Sequence, residues 1–213
     1  MVTQDIRPTE QLKGEHVFIR SCLMVLEKIC EKLESGKEID TRHLGQIIQF
    51  TKIFADKYHN GKEEKMLFPA LEETGMQKDT GLIRVILSEH DSSRRYAKGL
   101  SEAAVEYQEG RPGASSKIVE NARGYIGLLD KHIEKEDNGL FLIADACLAE
   151  KKQKELLMKF DTLNKIKVLV EMHEELWRAL YQLKMVYLDH MLVNTRKNTY
   201  HSVGTLTMTN RQL

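Results

Sequence analysis

Proline is scarce in this chain, with three in 213 residues. Little therefore interrupts backbone hydrogen bonding, and long helices are favoured. Cysteine is scarce too: Cys22, Cys30 and Cys147 are odd in number and show no CxxC spacing. That pattern excludes a disulfide framework and fits buried free thiols in a reducing cytoplasm. No charge of one sign dominates, because 32 acidic residues balance 32 basic ones. The chain thus lacks the basic field that nucleic acid or an anionic membrane would demand, and neither is expected as a partner. Long apolar runs are also missing. The most apolar stretch, Leu140 to Ala149, carries Asp145 and is too short to cross a bilayer. Met1-Val2-Thr3-Gln4-Asp5 has no basic flank leading into an apolar run, so no signal peptide is expected and the expected location is cytoplasmic. Alternating strand patterns bounded by turn residues are absent as well.

What is present is periodicity at three and four residues. The composition, 41% hydrophobic and 30% charged, suits a soluble and highly helical protein. A first helix is expected from Pro8 to about Glu34 on Leu12, Ile19, Leu23, Leu26 and Leu33, stopped by Ser35-Gly36-Lys37. Asp40 caps a second helix from Thr41 to about Pro69, with Leu44, Ile48, Thr51, Ala55 and His59 on its inner stripe. A third begins near Asp79-Thr80 and follows Ile83, Ile86, His90, Ser93, Ala97, Leu100, Ala104 and Tyr107 to the break at Gly110-Arg111-Pro112-Gly113. The fourth runs from Ala114 past Phe141 through Ile118, Ala122, Tyr125, Leu129, His132 and Glu136. The expected fold is all-α: an up-down-up-down four-helix bundle over residues 7–160 with an additional C-terminal helix. That helix, over 161–192, carries Leu169, His173, Leu176, Leu180, Leu183 and Tyr187 on one face, with Trp177 alongside. It is expected to pack on the bundle or to pair two subunits as a homodimer, and residues 193–213 read as a disordered tail.

The chemistry sits in two stretches. His59 and Glu63 are four apart, as are His132 and Glu136, and each Glu is followed after three residues by Leu-Phe. On a helix such a pair stacks on one face and aims two groups at one spot. The second stretch lies 73 residues after the first, and Glu15-His16 with Arg20 recurs 74 residues on as Glu89-His90 with Arg94. Two helical hairpins related by an approximate two-fold axis would build one central site from equivalent residues.

A single His on an apolar stripe is usually a hydrogen-bonded core residue. Four of them, one per helix, together with two Glu in the seams, demand a compensating positive charge, and no Lys or Arg occupies those stripes beside Glu63 or Glu136. A bound cation is the simplest partner. Imidazole with carboxylate suits iron, manganese or zinc. Six ligands exceed what one zinc needs, whereas two metals sharing Glu63 and Glu136, with two His each, keep positions open for a small molecule.

The constellation His16, His59-x3-Glu63, His90 and His132-x3-Glu136, with Leu-Phe after each Glu, resembles the hemerythrin-like (HHE cation-binding) domain family over residues 7–160. The resemblance implies a four-helix bundle holding a non-haem di-iron centre with an oxo or hydroxo bridge. His16, His59, His90 and His132 become terminal ligands and Glu63 and Glu136 the bridges, with zinc or manganese as substitutes for the two iron ions. The chain departs from respiratory members in two places. Arg94 stands where they carry a fifth His, and Asp137 stands where their last carboxylate falls, although the internal repeat favours Glu136. The missing His points to a more open centre, with Tyr58 or Tyr125 as candidates to fill the gap. The function expected is binding of, or reaction with, oxygen, peroxide or nitric oxide. A regulatory module responsive to iron or oxygen, and an iron buffer, are the alternatives. Glu15 and Glu89 are expected to hydrogen-bond nearby or stay solvated, and His43, His173, His190 and His201 carry no site role.

Overall fold

Four antiparallel helical arms form a ring in which each arm packs beside the next in sequence and the last closes on the first. The architecture is that of a computed structural model, which describes residues 6–76 and 81–188, leaving aside the side chains of 167–169. Among the described residues there is no strand. The expected tail over 193–213, the helix start at Asp79-Thr80, and His190 and His201 lie outside the described residues.

Helix α1 spans Pro8–Glu34. Pro8 sits in its first turn, where a missing N–H costs nothing, and the Glu10 carboxylate accepts from the Arg7 backbone N–H at 3.1 Å. Gly36 stops the helix at φ +72°, letting the Lys37 N–H return to the Lys32 carbonyl at 3.0 Å. Asp40 caps α2 (Thr41–Phe50) by accepting from the Arg42 N–H at 2.8 Å. The second arm continues through π-helical stretches at Thr51–Asn60 and Glu63–Leu67 into α3 (Phe68–Glu72). The third arm is α4 (Gly81–Gln108). The fourth is α5 (Ala114–Lys135), a π-helical turn at Glu136–Leu140, and α6 (Phe141–Cys147).

The π turns depart from the straight helices expected of the second and fourth arms. Two of them, at Glu63–Leu67 and Glu136–Leu140, occupy equivalent places in the internal repeat. A π turn takes more residues per revolution, so consecutive side chains diverge by a smaller angle. Glu63 and Glu64, and likewise Glu136 and Asp137, can then serve the same region of the bundle. A smaller departure occurs in α4, where Ala103 is buried and Ala104 and Tyr107 are only partly so. A straight helix drifts away from a strict seven-residue repeat, and the seam moves with it.

The C-terminal part also differs in its division. Glu150–Asn164 forms a helix of its own, α7, and the chain breaks at Lys165-Ile166 before α8 (Lys167–Tyr187). The expected boundary at 160 therefore falls inside a helix. Helix α7 packs on α1 and on the Glu63–Leu67 turn, and α8 lies against α1 and α2. Leu176, Leu180 and Leu183 of α8 bury into the bundle, and the His43 ring meets the Tyr187 hydroxyl at 3.1 Å.

The apolar interior is divided in two. One cluster gathers Ile19, Leu26, Phe54, Leu100, Ile118 and Leu129 with the buried face of α8. The other gathers Leu12, Leu67, Phe68, Ile83, Ile86, Leu140 and Phe141 with Leu156 and Phe160 of α7. Between them lies a layer of polar side chains.

Candidate metal centre

That polar layer consists of His16, His59, Glu63, His90, His132 and Glu136, each at most 2% exposed. All six residues anticipated from the spacing meet there. Their ligand atoms form two overlapping groups that could each hold a metal ion: His16, His59, Glu63 and Glu136, and Glu63, His90, His132 and Glu136. Within each group the atoms lie within 4.8 Å of one another. Both groups share both carboxylates.

Each imidazole turns Nε2 inward. His16 Nε2 lies 3.1 Å from Glu136 Oε2, His132 Nε2 lies 3.2 Å from Glu136 Oε1, and His90 Nε2 lies 3.3 Å from Glu63 Oε2. His59 Nε2 stands 3.6 Å from Glu63 Oε1. Each imidazole turns Nδ1 outward onto a carboxylate: Asp137 on His16 at 2.8 Å, Glu15 on His59 at 2.9 Å, Glu64 on His90 at 2.7 Å and Glu89 on His132 at 3.1 Å. Such a carboxylate fixes the tautomer, placing the proton on Nδ1 and the lone pair on Nε2, and it raises the basicity of the ligating nitrogen.

The consequence inside the layer is an excess of acceptors. His16 Nε2 and His59 Nε2 face each other at 3.0 Å. If both rings donate outward through Nδ1, neither has a proton to offer the other. Both oxygens of Glu63, both oxygens of Glu136, and Nε2 of His90 and of His132 are buried without a hydrogen-bond partner. Among the described residues no Lys or Arg pairs with Glu63 or Glu136. Buried acceptors left this way are costly, and one or two cations between them would satisfy the set.

Protonation follows the same logic. Burial works against a charged His16, yet the Asp137 and Glu136 carboxylates hold its pKa up at about 9. Burial likewise opposes charge on His90, and Glu63 and Glu64 hold it up at about 10. Burial would raise the Glu136 carboxyl, but His132 and His16 keep it down at about 2. Protons are drawn to where a metal would sit.

Asp137 is placed outside the inward-facing set, on the Nδ1 of His16, with Arg20 3.8 Å from its other oxygen. Arg94 plays the matching part in the other half, bonding Glu64 at 2.5 Å and Asp56 at 2.7 Å. The position of the missing fifth His is thus turned away from the centre. Tyr58 is also turned away, donating its hydroxyl to Asn164. Tyr125 lines a small cavity, roomy enough for a water-sized molecule, shared with His59, His132, Asp56, Asn60 and Ser93. Burial pushes its phenol well above the ordinary range. His173 is structural: buried against Tyr58, Phe54 and Trp177, it is pushed by burial and the nearby Lys62 down to about 4.

Sequence reading left Glu15 and Glu89 open, and it missed both Glu64 and Lys62, the latter fully buried and donating to Glu15 at 2.5 Å. The signal was in the repeat, because Lys62 and Glu64 recur 73 residues on as Lys135 and Asp137.

The sequence profile of the hemerythrin HHE cation binding domain matches residues 7–144. The chain belongs to this family. The hemerythrin HHE match ends before α7 and α8. Uncharacterized proteins of Mycobacterium bovis and of two Mycobacterium tuberculosis strains are each 24% identical over 132 residues, which cover 62% of this chain and 51% of theirs. The chain thus spans about half the length of the curated relatives it matches. No solved structure gives a significant match to this hemerythrin HHE chain. Among its described residues no helix is long and apolar enough to cross a membrane.

Proposed function

We propose that the chain is a non-haem di-iron protein that binds or reacts with a small oxidant or gas, namely oxygen, peroxide or nitric oxide. The observation that carries this reading is the pair of ligand groups sharing both carboxylates. Glu63 and Glu136 would be shared between two ions, with His16 and His59 holding one and His90 and His132 the other. Two imidazoles and two carboxylate oxygens would be too few to saturate an iron ion, so each position would leave room for a further ligand. Iron in such a site supplies redox and Lewis-acid chemistry toward a small molecule.

The protein's own residues prepare the place for it. Asp137, Glu15, Glu64 and Glu89 orient the four rings. A water-sized cavity touches both His59 and His132, with the Tyr125 side chain on its wall. The apolar clusters on either side limit water, which strengthens every electrostatic contact in the layer. Zinc or manganese would fit the same donors.

Metal analysis together with an optical spectrum under air, peroxide and nitric oxide tests this. The expected result is two irons per chain and a charge-transfer band that changes on reduction and on exposure to one of the three. A chain that takes up no iron overturns the reading.

One observation favours a second reading, a regulatory module. Phe160 of α7 and His173 of α8 pack on Lys62 and Tyr58, close behind the His59 ligand position. Metal loading would then stabilise the docked C-terminal helices. Limited proteolysis with and without iron decides it; identical cleavage beyond residue 150 would sink it.

A further inference from the structure

The internal two-fold gives each half of the centre the same corner: an acidic residue on an imidazole Nδ1, with a lysine behind it. At one corner Glu15 Oε2 is 2.9 Å from His59 Nδ1, and Glu15 Oε1 accepts from Lys62 Nζ at 2.5 Å. At the other, Glu89 Oε2 is 3.1 Å from His132 Nδ1, and Glu89 Oε1 accepts from Lys135. Equivalent residues in equivalent places would be expected to meet water equally. They do not: the Lys62 side chain is 0% exposed, whereas that of Lys135 is 38% exposed.

The difference comes partly from the segment beyond the family match and partly from Tyr58, whose place in the repeat is taken by Lys131. Phe160 of α7 places its ring 5.2 Å from Lys62 Nζ, and the Tyr58 ring lies 3.9 Å from the same atom. His173 of α8 then packs edge-on against Tyr58 with ring centroids 4.0 Å apart. Among the described residues nothing comparable covers Lys135. The other two outward carboxylates are nearly alike, with Glu64 23% and Asp137 25% exposed, so they do not distinguish the halves. The cavity touches His59 and His132 alike and does not distinguish them either.

We propose that α7 and α8 seal one half of the centre, so that it gives up metal in two steps, first from His90–His132 and later from His16–His59. This rests on the two-metal reading above. A metal leaves as water replaces its ligands, and a ligand must swing aside for water to enter. His132 can swing because the Lys135 ammonium behind Glu89 can move into water, although Glu89 itself, at 15% exposed, is little more open than Glu15 at 10%. His59 is held by Glu15, whose second oxygen is tied to an ammonium that has no water to move into. The seal therefore acts on rate more than on which ligands bind. Lys62 is a positioning residue that works through Glu15.

The test is anaerobic release of iron(II) from the loaded full-length protein into an excess of chelator. Two phases of equal amplitude are expected, separated by about tenfold or more, the scale on which outer partners of a metal ligand act. Lys62→Met and Phe160→Leu should each accelerate the slow phase and leave the fast one unchanged. Lys135→Met should leave the slow phase unchanged. Because Lys62→Met and Phe160→Leu perturb the seal from opposite sides, either one suffices if the other fails to fold. A single phase, or equal effects of Lys62→Met and Lys135→Met on the slow phase, overturns the proposal while leaving the two-metal reading intact. A protein that binds no iron overturns both.

Discussion

Asp137 Oδ1 lies 2.8 Å from Nδ1 of His16, while its neighbour Glu136 turns an oxygen to within 3.1 Å of Nε2 of the same ring. Two consecutive acidic residues thus grip one imidazole from opposite edges. Substituting them should have separable consequences. Glu136→Gln should bring the metal content below two per chain. Asp137→Asn should keep two metals per chain and weaken their binding by about 10–100-fold, the range for an outer partner of a ligating His. Metal analysis after dialysis and competition titration with a chelator measure the two effects.

Arg94 offers a second contrast. It bonds Glu64, Asp56 and Asp91 and does not face the metal layer. Arg94→Ala should loosen Glu64 and through it His90, lowering metal affinity less than His90→Ala does, with the stoichiometry kept. A variant protein holding one metal would instead give Arg94 a direct part in the site.

The metal-free protein should lose stability in alkali. The folded pKa of His16 is raised to about 9 and that of His90 to about 10. A raised His pKa contributes stability that is fully present below the unfolded value, about 6.5. That contribution fades as pH rises toward 9 and 10. Glu136, lowered to about 2, contributes in the opposite direction: its share is present above about 4.5 and is lost as pH falls through 2. Denaturant midpoints of the metal-free chain should therefore fall between pH 7 and pH 10. Metal occupancy should flatten that slope, and loading at pH 7 should release protons into a weakly buffered solution.

Phe54 is fully buried and touches Phe18, Phe50, Tyr58, His173 and Trp177. It joins α8 to the second arm. Phe54→Ala should cost about 3–5 kcal/mol in chemical denaturation, the range for removing a core aromatic. Trp177 fluorescence should shift with it, since its ring loses an edge contact and the docking of α8 slackens. Unchanged fluorescence would mean that α8 holds its place without Phe54.

The bundle and the six inward side chains were legible because both are written at helical spacing. His16, His59, Glu63, His90, His132 and Glu136 fall on seams that Leu, Ile and Ala otherwise fill, and a polar residue on a seam is conspicuous. The outward residues were harder to read. Glu15, Glu64 and Glu89 sit on faces where a solvated acid is ordinary, and only the fold shows each one against a ring nitrogen. The π turns depend on how the backbone settles around the layer, and no residue type announces them. The break at Lys165-Ile166 was invisible for another reason. It carries neither Gly nor Pro, and the apolar repeat runs through it from Phe160 and Leu163 to Leu169 and Leu176.

The division of the interior into two apolar clusters has a mechanical consequence. Through the middle of the bundle the two clusters meet across His16, His59, Glu63, His90, His132 and Glu136, and at one side Lys62 touches the Tyr58 ring of one cluster and the Phe160 ring of the other. With metal in place the layer acts as a rivet, and the molecule should melt as one body. Without it, the end containing Phe68, Phe141 and Phe160 and the end containing Phe54, Leu100 and Ile118 are joined by continuous helical backbone, by the protonated His16 and His90 among the carboxylates, and by the Tyr58–Lys62–Phe160 contact. The two ends can then come apart on their own schedules, so the presence of metal would be readable in the sharpness of unfolding as well as in its midpoint.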